Sequence, residues 1–463
     1  MEFCKPNFFL FFLPVLLIYW RLPSHGLRMG WLLAASILYY GLFNPWFIVL
    51  MFAATGFDFV VARQLPRLSC SRWRWRLVAL CICVNLSILA AFKYLIFFLH
   101  SANTISSWFG GGFEVPGWKL LLPLGISFYT FEAISYLVDV YRGRVQPFDS
   151  LRDYLLYILF FPHLLAGPIV RSHDFGPQLQ RPKRFSWLRF EAGVQLFLLG
   201  AFKKAVLADW MATVVDPVFQ APRDYGSAAL WTASLAYSVQ IYGDFSGYSD
   251  MAIGLAHMLG FKLPANFRTP YLSATIGEFW RRWHISLSNW LRDYLYIPLG
   301  GNRGGEWSTC RNLLATMTLG GLWHGANWTF VLWGIYHGLL LATARVLPVP
   351  RWATADWTRP IWILLTFLSV TIGWVLFRAT SFADAATVLS GMFGPTAGAM
   401  LPWEQTALVL AGLLALFVGG SIDGRKLASR VPTPLAAAGL AGFAVLYFAL
   451  IPLTASGFIY FHF

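Results

Sequence analysis

Charge is what this sequence has little of. Asp, Glu, Lys and Arg make up 12% of its 463 residues, against about 25% in an ordinary soluble domain. Hydrophobic residues make up 57% and the mean hydropathy is +0.58, which excludes a soluble globular protein and points to a polytopic membrane protein. Cysteine is scarce and odd in number. Cys4, Cys70, Cys81, Cys83 and Cys310 form no disulfide framework and no metal-ligand spacing, and Cys81 and Cys83 lie inside an apolar run. Acidic residues are outnumbered, 21 to 35, for a net charge of +14. That excess does not indicate nucleic acid as a partner, because the basic residues sit in short loops between apolar spans, as on the cytoplasmic side of membrane proteins. The glycine-rich run Gly300-Gly301-Asn302-Arg303-Gly304-Gly305 lacks a following Lys-Ser/Thr and reads as a flexible turn rather than a nucleotide loop. No internal repeat or low-complexity linker divides the chain, so residues 1–463 read as one domain with no bound cofactor and no metal.

Apolar spans fall at about 7–20, 31–43, 46–62, 77–99, 118–141, 190–206, 227–243, 312–343 as a hairpin, 361–378, 406–422 and 434–453. Several are short for the roughly 20 residues that cross a bilayer. Residues 8–20 lack a small-residue cleavage site and read as a retained helix rather than a signal peptide. Arg63, Arg67, Arg72, Arg74 and Arg76 place loop 63–76 in the cytoplasm, and Arg142 to Arg152 does the same for the next basic loop. Segment 153–170 is apolar with basic flanks on both sides and contains Pro162 and Gly167-Pro168, so it reads as re-entrant. Segment 244–261 is read the same way. Broken backbone at membrane depth is tolerated only where it is buried in protein or lines a cavity. The region from about 118 to 345 is therefore expected to be a set of broken helices around a polar interior. Parity of spans sends the aromatic tail 454–463 to the outer face.

One stretch organises the rest. From Glu278, the apolar residues Phe279, Trp280, Trp283, Leu287, Trp290, Leu291 and Tyr294 recur at helical spacing and predict an amphipathic helix. Glu278 and Arg282 are an i,i+4 pair on its polar face, and His284 lies at the edge of the aromatic stripe. Some forty residues on, His324 stands in an apolar run with only Gly320, Gly321, Trp323, Gly325 and Asn327 beside it.

An ionisable residue inside a membrane span is functional by default. His324 suits a general base that removes a hydroxyl proton as the oxygen attacks an acyl carbonyl; the plainer reading is a neutral histidine bonded between helices. The glycines beside it would let a substrate approach closely. His284 reads either as an active-site partner or as an interfacial residue among tryptophans. Arg281 and Arg282 suit a phosphate-bearing donor from the cytoplasm or the headgroups of membrane lipids. His163, His257 and His337 read as structural. Asp244, Ser246, Tyr248, Ser249 and Asp250 form a polar patch that lines a cavity or supports the histidines, with N-capping as the alternative for Asp244. Trp323 and Asn327 are grouped with the lining of the same passage. In the tail, Tyr460 is the one hydroxyl of GFIYFHF.

The run FWRRWHISLSNWLRDYLYIPLGGNR followed by GLWHGANWTFVLWGIYHG resembles the membrane-bound O-acyltransferases. It is most similar to the bacterial branch that acetylates extracytoplasmic polysaccharides such as alginate. PLGISFYTFEAISYLVDVYRG (123–143), FFPHLLAGPIVR (160–171), YGDFSGYSDMAIG (242–254) and FIYFHF add to it. The resemblance implies an all-α fold of about eleven transmembrane helices with re-entrant and amphipathic helices around a central tunnel. It implies that His324 is the essential histidine and His284 its partner position, with acetyl-CoA presented from the cytoplasm. Tyr460 would relay the acetyl group to extracytoplasmic acetyltransferase or polysaccharide-biosynthesis proteins, in a bacterial inner membrane. A D-alanyl donor, a lipid or sterol acceptor, and a polytopic transporter or flippase are the competing readings. A transporter is disfavoured because the polar, broken elements cluster centrally and lack a second related half.

Overall fold

The structure, a computed structural model, describes residues 3–118, 120–165, 167–347, 357–421 and 442. Apart from an isolated bridge between Tyr225 and Ala399, the described residues contain helices and loops only. Trp46–Arg67, Ser71–Trp108, Trp328–Val346 and Arg359–Arg378 are long and apolar enough to cross a bilayer, and Pro6–Arg21, Phe382–Phe393 and Trp403–Gly419 are shorter apolar helices. This is a helical membrane protein. The expected span 434–453 and the tail with Tyr460 lie outside the described residues.

Two compact units form, Met1–Val194 with Ala252–Pro264, and Gln195–Met251 with Ala265–Phe463. The first holds α1 (Pro6–Arg21), α2 (His25–Gly41), α3 (Trp46–Gln64), α4 (Ser71–Leu89), α5 (Leu95–Trp108), α6 (Ile126–Tyr141), α7 (Leu151–Leu159), α8 (Phe161–Leu164) and α9 (Ser172–Gln180). A π turn over Ala90–Tyr94 joins α4 to α5, so the expected span 77–99 is the middle of a longer rod. α6 is buried on nearly every residue. Gly125 before it has φ 73°, and a Cβ there would stand 2.5 Å from the carbonyl oxygen of Leu164, so only glycine fits. The interruption expected in 153–170 occurs at Phe160, between α7 and α8, with Pro162 in the first turn of α8. The buried non-helical backbone beyond it is satisfied from α6: Glu132 Oε1 accepts from the Val170 amide at 2.8 Å.

The chain continues through α10 (Trp187–Phe202), α11 (Asp209–Gln220), α12 (Ser227–Met258), α13 (Ile276–Arg282), α14 (Ile285–Leu291), α15 (Gly305–His324), α16 (Trp328–Val346), α17 (Arg359–Arg378), α18 (Phe382–Phe393) and α19 (Trp403–Ser421). Two expectations are corrected here. Segment 244–261 is not broken, since α12 runs on to Met258. Gly247 within it serves close packing instead, since a Cβ there would stand 2.5 Å from the carbonyl oxygen of Gly200; Gly243, just before the segment, packs likewise, its Cβ position 3.0 Å from that of Lys203. Conversely, the single helix expected from Glu278 to Tyr294 breaks at Trp283 and His284 into α13 and α14, and a π turn follows over Arg292–Tyr296. α18 was not expected. It is short, and begins with Ser381 accepting from the Asp384 amide at 3.1 Å.

Candidate active site

The break between α13 and α14 is built locally. Thr275 Oγ1 accepts from the Glu278 amide at 3.1 Å while Glu278 Oε2 accepts from the Ala274 amide at 2.8 Å, which fixes the start of α13. Glu278 Oε1 also holds Arg282 at 2.6 Å, the expected i,i+4 pair. The helix then stops. Trp283 is extended and His284 is left-handed, at φ 42° and ψ 54°. A left-handed non-glycine residue costs on the order of 1–2 kcal/mol, and backbone bonds on both sides hold it: Arg268 N–H to Arg282 O at 3.0 Å, and Ile285 N–H to Asn266 O at 2.9 Å. The imidazole is turned fully inward, 0% exposed, which departs from the interfacial one of its two sequence readings.

Its surroundings are specific. His284 Nδ1 lies 3.1 Å from Asn266 Oδ1, its ring meets Phe245 edge to face at 4.6 Å, and Trp323 lies 6.2 Å away. The other nitrogen, Nε2, is buried with no hydrogen-bond partner among the described residues. Burial pushes this imidazole down to about 3 from its ordinary 6.5, so it is neutral at physiological pH. A base that weak takes a proton poorly but still accepts a hydrogen bond.

His324 ends α15 and is 4% exposed. Trp323 meets it at 5.0 Å, Trp333 at 5.1 Å and Phe377 at 5.2 Å, all edge to face. Trp323 therefore touches both histidines, and the two residues singled out in sequence face one indole. Two of the glycines around His324 allow close packing against α16. Gly321 lies against α16, where a Cβ would come within 2.2 Å of the Phe330 carbonyl oxygen, and a Cβ on Gly325 would strike the Phe330 ring at 2.2 Å. Asn327 caps α16, accepting from the Thr329 amide at 3.0 Å and donating to Thr380 O at 2.9 Å.

The polar patch on α12 divides. Asp244 is 1% exposed and lies 2.7 Å from Lys204 Nζ, which also holds Asp209 at 2.8 Å. Asp250 pairs with Lys203 at 2.6 Å. Asp244 is mid-helix, so it is not an N-cap. Ser249 Oγ accepts from Asn266 Nδ2 at 3.2 Å and so supports the His284 partner directly. Ser246 and Tyr248 are buried on the same helix. Among the histidines read as structural, His163 sits 3.3 Å from Glu132. His337 is fully buried, with neither ring nitrogen hydrogen-bonded among the described residues, and lies 4.9 Å from the Trp333 ring.

A cavity of about 440 Å³ opens beside α14, lined by Trp280, Arg281, Ile285, Asn289, Arg292 and Met317 among others. Arg281 therefore faces a pocket, whereas Arg282 is engaged by Glu278. The sequence reading missed Asn266 and Lys204. Lys203-Lys204 inside the apolar run GAFKKAVL was a readable signal for buried carboxylate partners; Asn266, one polar residue in a loop, carried none.

The sequence model of the membrane-bound O-acyltransferase family matches residues 149–349. The chain is 43% identical over 425 residues to the probable alginate O-acetylase AlgI of Azotobacter vinelandii, an alignment covering 90% of this chain and 84% of that protein. It is 38% identical over 427 residues to the peptidoglycan O-acetyltransferase of Helicobacter pylori, covering 85% and 80%. It is 31% identical over 293 residues to the teichoic acid D-alanyltransferase of Streptococcus thermophilus, covering 56% and 69%.

Proposed function

We propose, from the premise that this chain belongs to the membrane-bound O-acyltransferase family, that it moves an acetyl group from cytoplasmic acetyl-CoA across the bacterial inner membrane to an extracytoplasmic polysaccharide, with partner proteins outside. That it is a membrane O-acyltransferase follows from the family. The observation that carries the finer reading is the pair of buried imidazoles, His324 at 5.0 Å and His284 at 6.2 Å from the ring of Trp323. Two polar side chains of this kind are costly to bury among aromatic rings without a chemical use.

In the proposed reaction His324 takes the proton of the acceptor hydroxyl as its oxygen attacks the thioester carbonyl. Collapse of the tetrahedral adduct breaks the carbon–sulfur bond, and the imidazolium returns the proton to the departing thiolate. His284, too weak a base for that step, orients the reacting groups through a hydrogen bond accepted at Nε2. Arg281 and Arg292 line the cavity beside α14 and suit the phosphates of a coenzyme A donor. Trp323, Ser246 and Tyr248 line the passage, and the Lys204–Asp244 and Lys203–Asp250 pairs keep its charges compensated. Asn327 holds the turn after His324. Alginate and peptidoglycan, named for two relatives, are both glycans, which favours a glycan acceptor and acetyl over the D-alanyl donor of the more distant relative.

Tyr460 is the proposed outer relay, taking the acetyl group on its hydroxyl and passing it on. Proteoliposomes test the proposal. With labelled acetyl-CoA on one face only, label is expected on a glycan or protein acceptor at the other face. Label confined to lipid, or none transferred, contradicts it. Tyr460→Phe is expected to block transfer while leaving donor binding intact, and full transfer in that variant removes the relay.

A further inference from the structure

We propose that Asn266 is a positioning residue that locks His284 in the tautomer carrying its proton on Nδ1, so that Nε2 offers substrate a lone pair and never an N–H. The inference rests on the role given to His284 above.

The assignment follows from counting donors. Asn266 Oδ1 receives three groups: the Ser286 amide at 3.2 Å, the Ser286 hydroxyl at 2.9 Å and His284 Nδ1 at 3.1 Å. A backbone N–H only donates, so the atom facing it is the amide oxygen and not the nitrogen. The other end agrees, since Asn266 Nδ2 points to the Ser249 hydroxyl at 3.2 Å. With the oxygen fixed as acceptor, the atom of His284 that meets it must donate. A neutral imidazole carries one N–H, so the proton sits on Nδ1 and Nε2 is bare. Asn266 is 1% exposed, so bulk solvent does not compete for its side chain.

The chemical consequence is a choice of ligand group. A bare Nε2 accepts a hydrogen bond from a hydroxyl or an amide N–H. It repels the oxygen of a thioester carbonyl, and so cannot serve as a donor to the oxyanion that forms there. His284 therefore orients a hydrogen-bond donor: the acceptor's hydroxyl or an amide N–H of the donor's thioester arm. Phe245 and Trp323 contribute the rings that meet His284, and the carboxylates of Asp244 and Asp250 on α12 are paired with Lys204 and Lys203; Trp323 also meets His324 at 5.0 Å.

Three variants and one spectrum test this. Asn266→Asp keeps an acceptor facing Nδ1. It should retain acyl transfer within about threefold and move the acid limb of the pH–rate profile upward, because a carboxylate favours the imidazolium. Asn266→Leu removes the acceptor at similar volume and should lower kcat by about 10- to 100-fold, the usual effect of losing a group that orients a functional histidine, with KM for the donor nearly unchanged. Nitrogen-15 spectra of the histidine-labelled full-length protein in lipid nanodiscs, with His284→Gln to assign the signal, read the tautomer without reference to catalysis. A protonated Nε2, or equal loss of kcat in both Asn266 variants, overturns the assignment. Full transfer by His284→Gln with the Nδ1–H signal intact in the parent overturns the functional role of His284 instead.

Discussion

Gly321 and Gly334 let α15 and α16 touch backbone to backbone. A Cβ on Gly321 would stand 3.0 Å from the Gly334 Cα, and one on Gly334 2.3 Å from the Met317 carbonyl oxygen. His324 ends α15 three residues after Gly321. Alanine at either position is expected to destabilise the protein by about 1–3 kcal/mol, as overpacking does, and to reduce acyl transfer by displacing His324. Thermal unfolding of the detergent-purified variants checks this; unchanged unfolding temperature and activity would show the hairpin adapts without cost.

Lys204 lies between two carboxylates, those of Asp209 and Asp244, all three side chains at most 5% exposed. Removing one partner of such a buried group leaves uncompensated charge and costs about 3–5 kcal/mol. Lys204→Met is therefore expected to lower the yield of folded protein sharply. Adding Asp244→Asn to it should recover part of the loss. Denaturant unfolding or size-exclusion profiles in detergent provide the readout.

Arg281 and Arg282 are adjacent but engaged differently. Arg282 is held by Glu278 at 2.6 Å while Arg281 lines the cavity beside α14. Arg281→Ala is expected to raise KM for acetyl-CoA by about tenfold, the loss of one charge-assisted phosphate contact. Arg282→Ala breaks a partly exposed pair worth at most about 1 kcal/mol and should leave KM near the parent value. Steady-state kinetics on the two variants decide between donor binding and headgroup anchoring.

His284 gives stability a direction in pH. Its folded value, about 3, lies below the ordinary 6.5, so between those two values the unfolded chain binds a proton that the folded protein refuses. The contribution is complete above pH 6.5 and is lost as pH falls toward 3, by at most about 1.4 kcal/mol per pH unit. His284→Gln should lose less stability than the parent on going from about pH 7 to about pH 5. Equal losses would mean that the imidazole is hydrated in the folded protein.

Much of the fold was legible because membrane helices announce themselves by composition. The hairpin of α15 and α16, the α17 span and the interruption just before Pro162 follow from apolar length, glycine and proline. The break at His284 was not legible. Its helical periodicity continues from Phe279 to Tyr294, and only the tertiary bonds from Asn266 and Arg268 override it. Segment 244–261 misled in the opposite sense, since its glycine- and polar-rich sequence suggests a broken helix where the structure keeps α12 continuous and uses Gly247 for helix contact. Both histidines stood out in sequence because polar groups in apolar surroundings are rare. Asn266, which decides how one of them behaves, is an unremarked loop residue until its three hydrogen-bond partners are seen.

The central claim is that His324 activates an acceptor hydroxyl against a thioester. Purified protein incubated with radiolabelled acetyl-CoA and acceptor, parent against His324→Ala, tests it most directly. Acetyl transfer is expected to fall by at least about 100-fold in the variant, with donor binding and unfolding temperature preserved. Transfer at the parent rate by a folded His324→Ala protein would contradict the account.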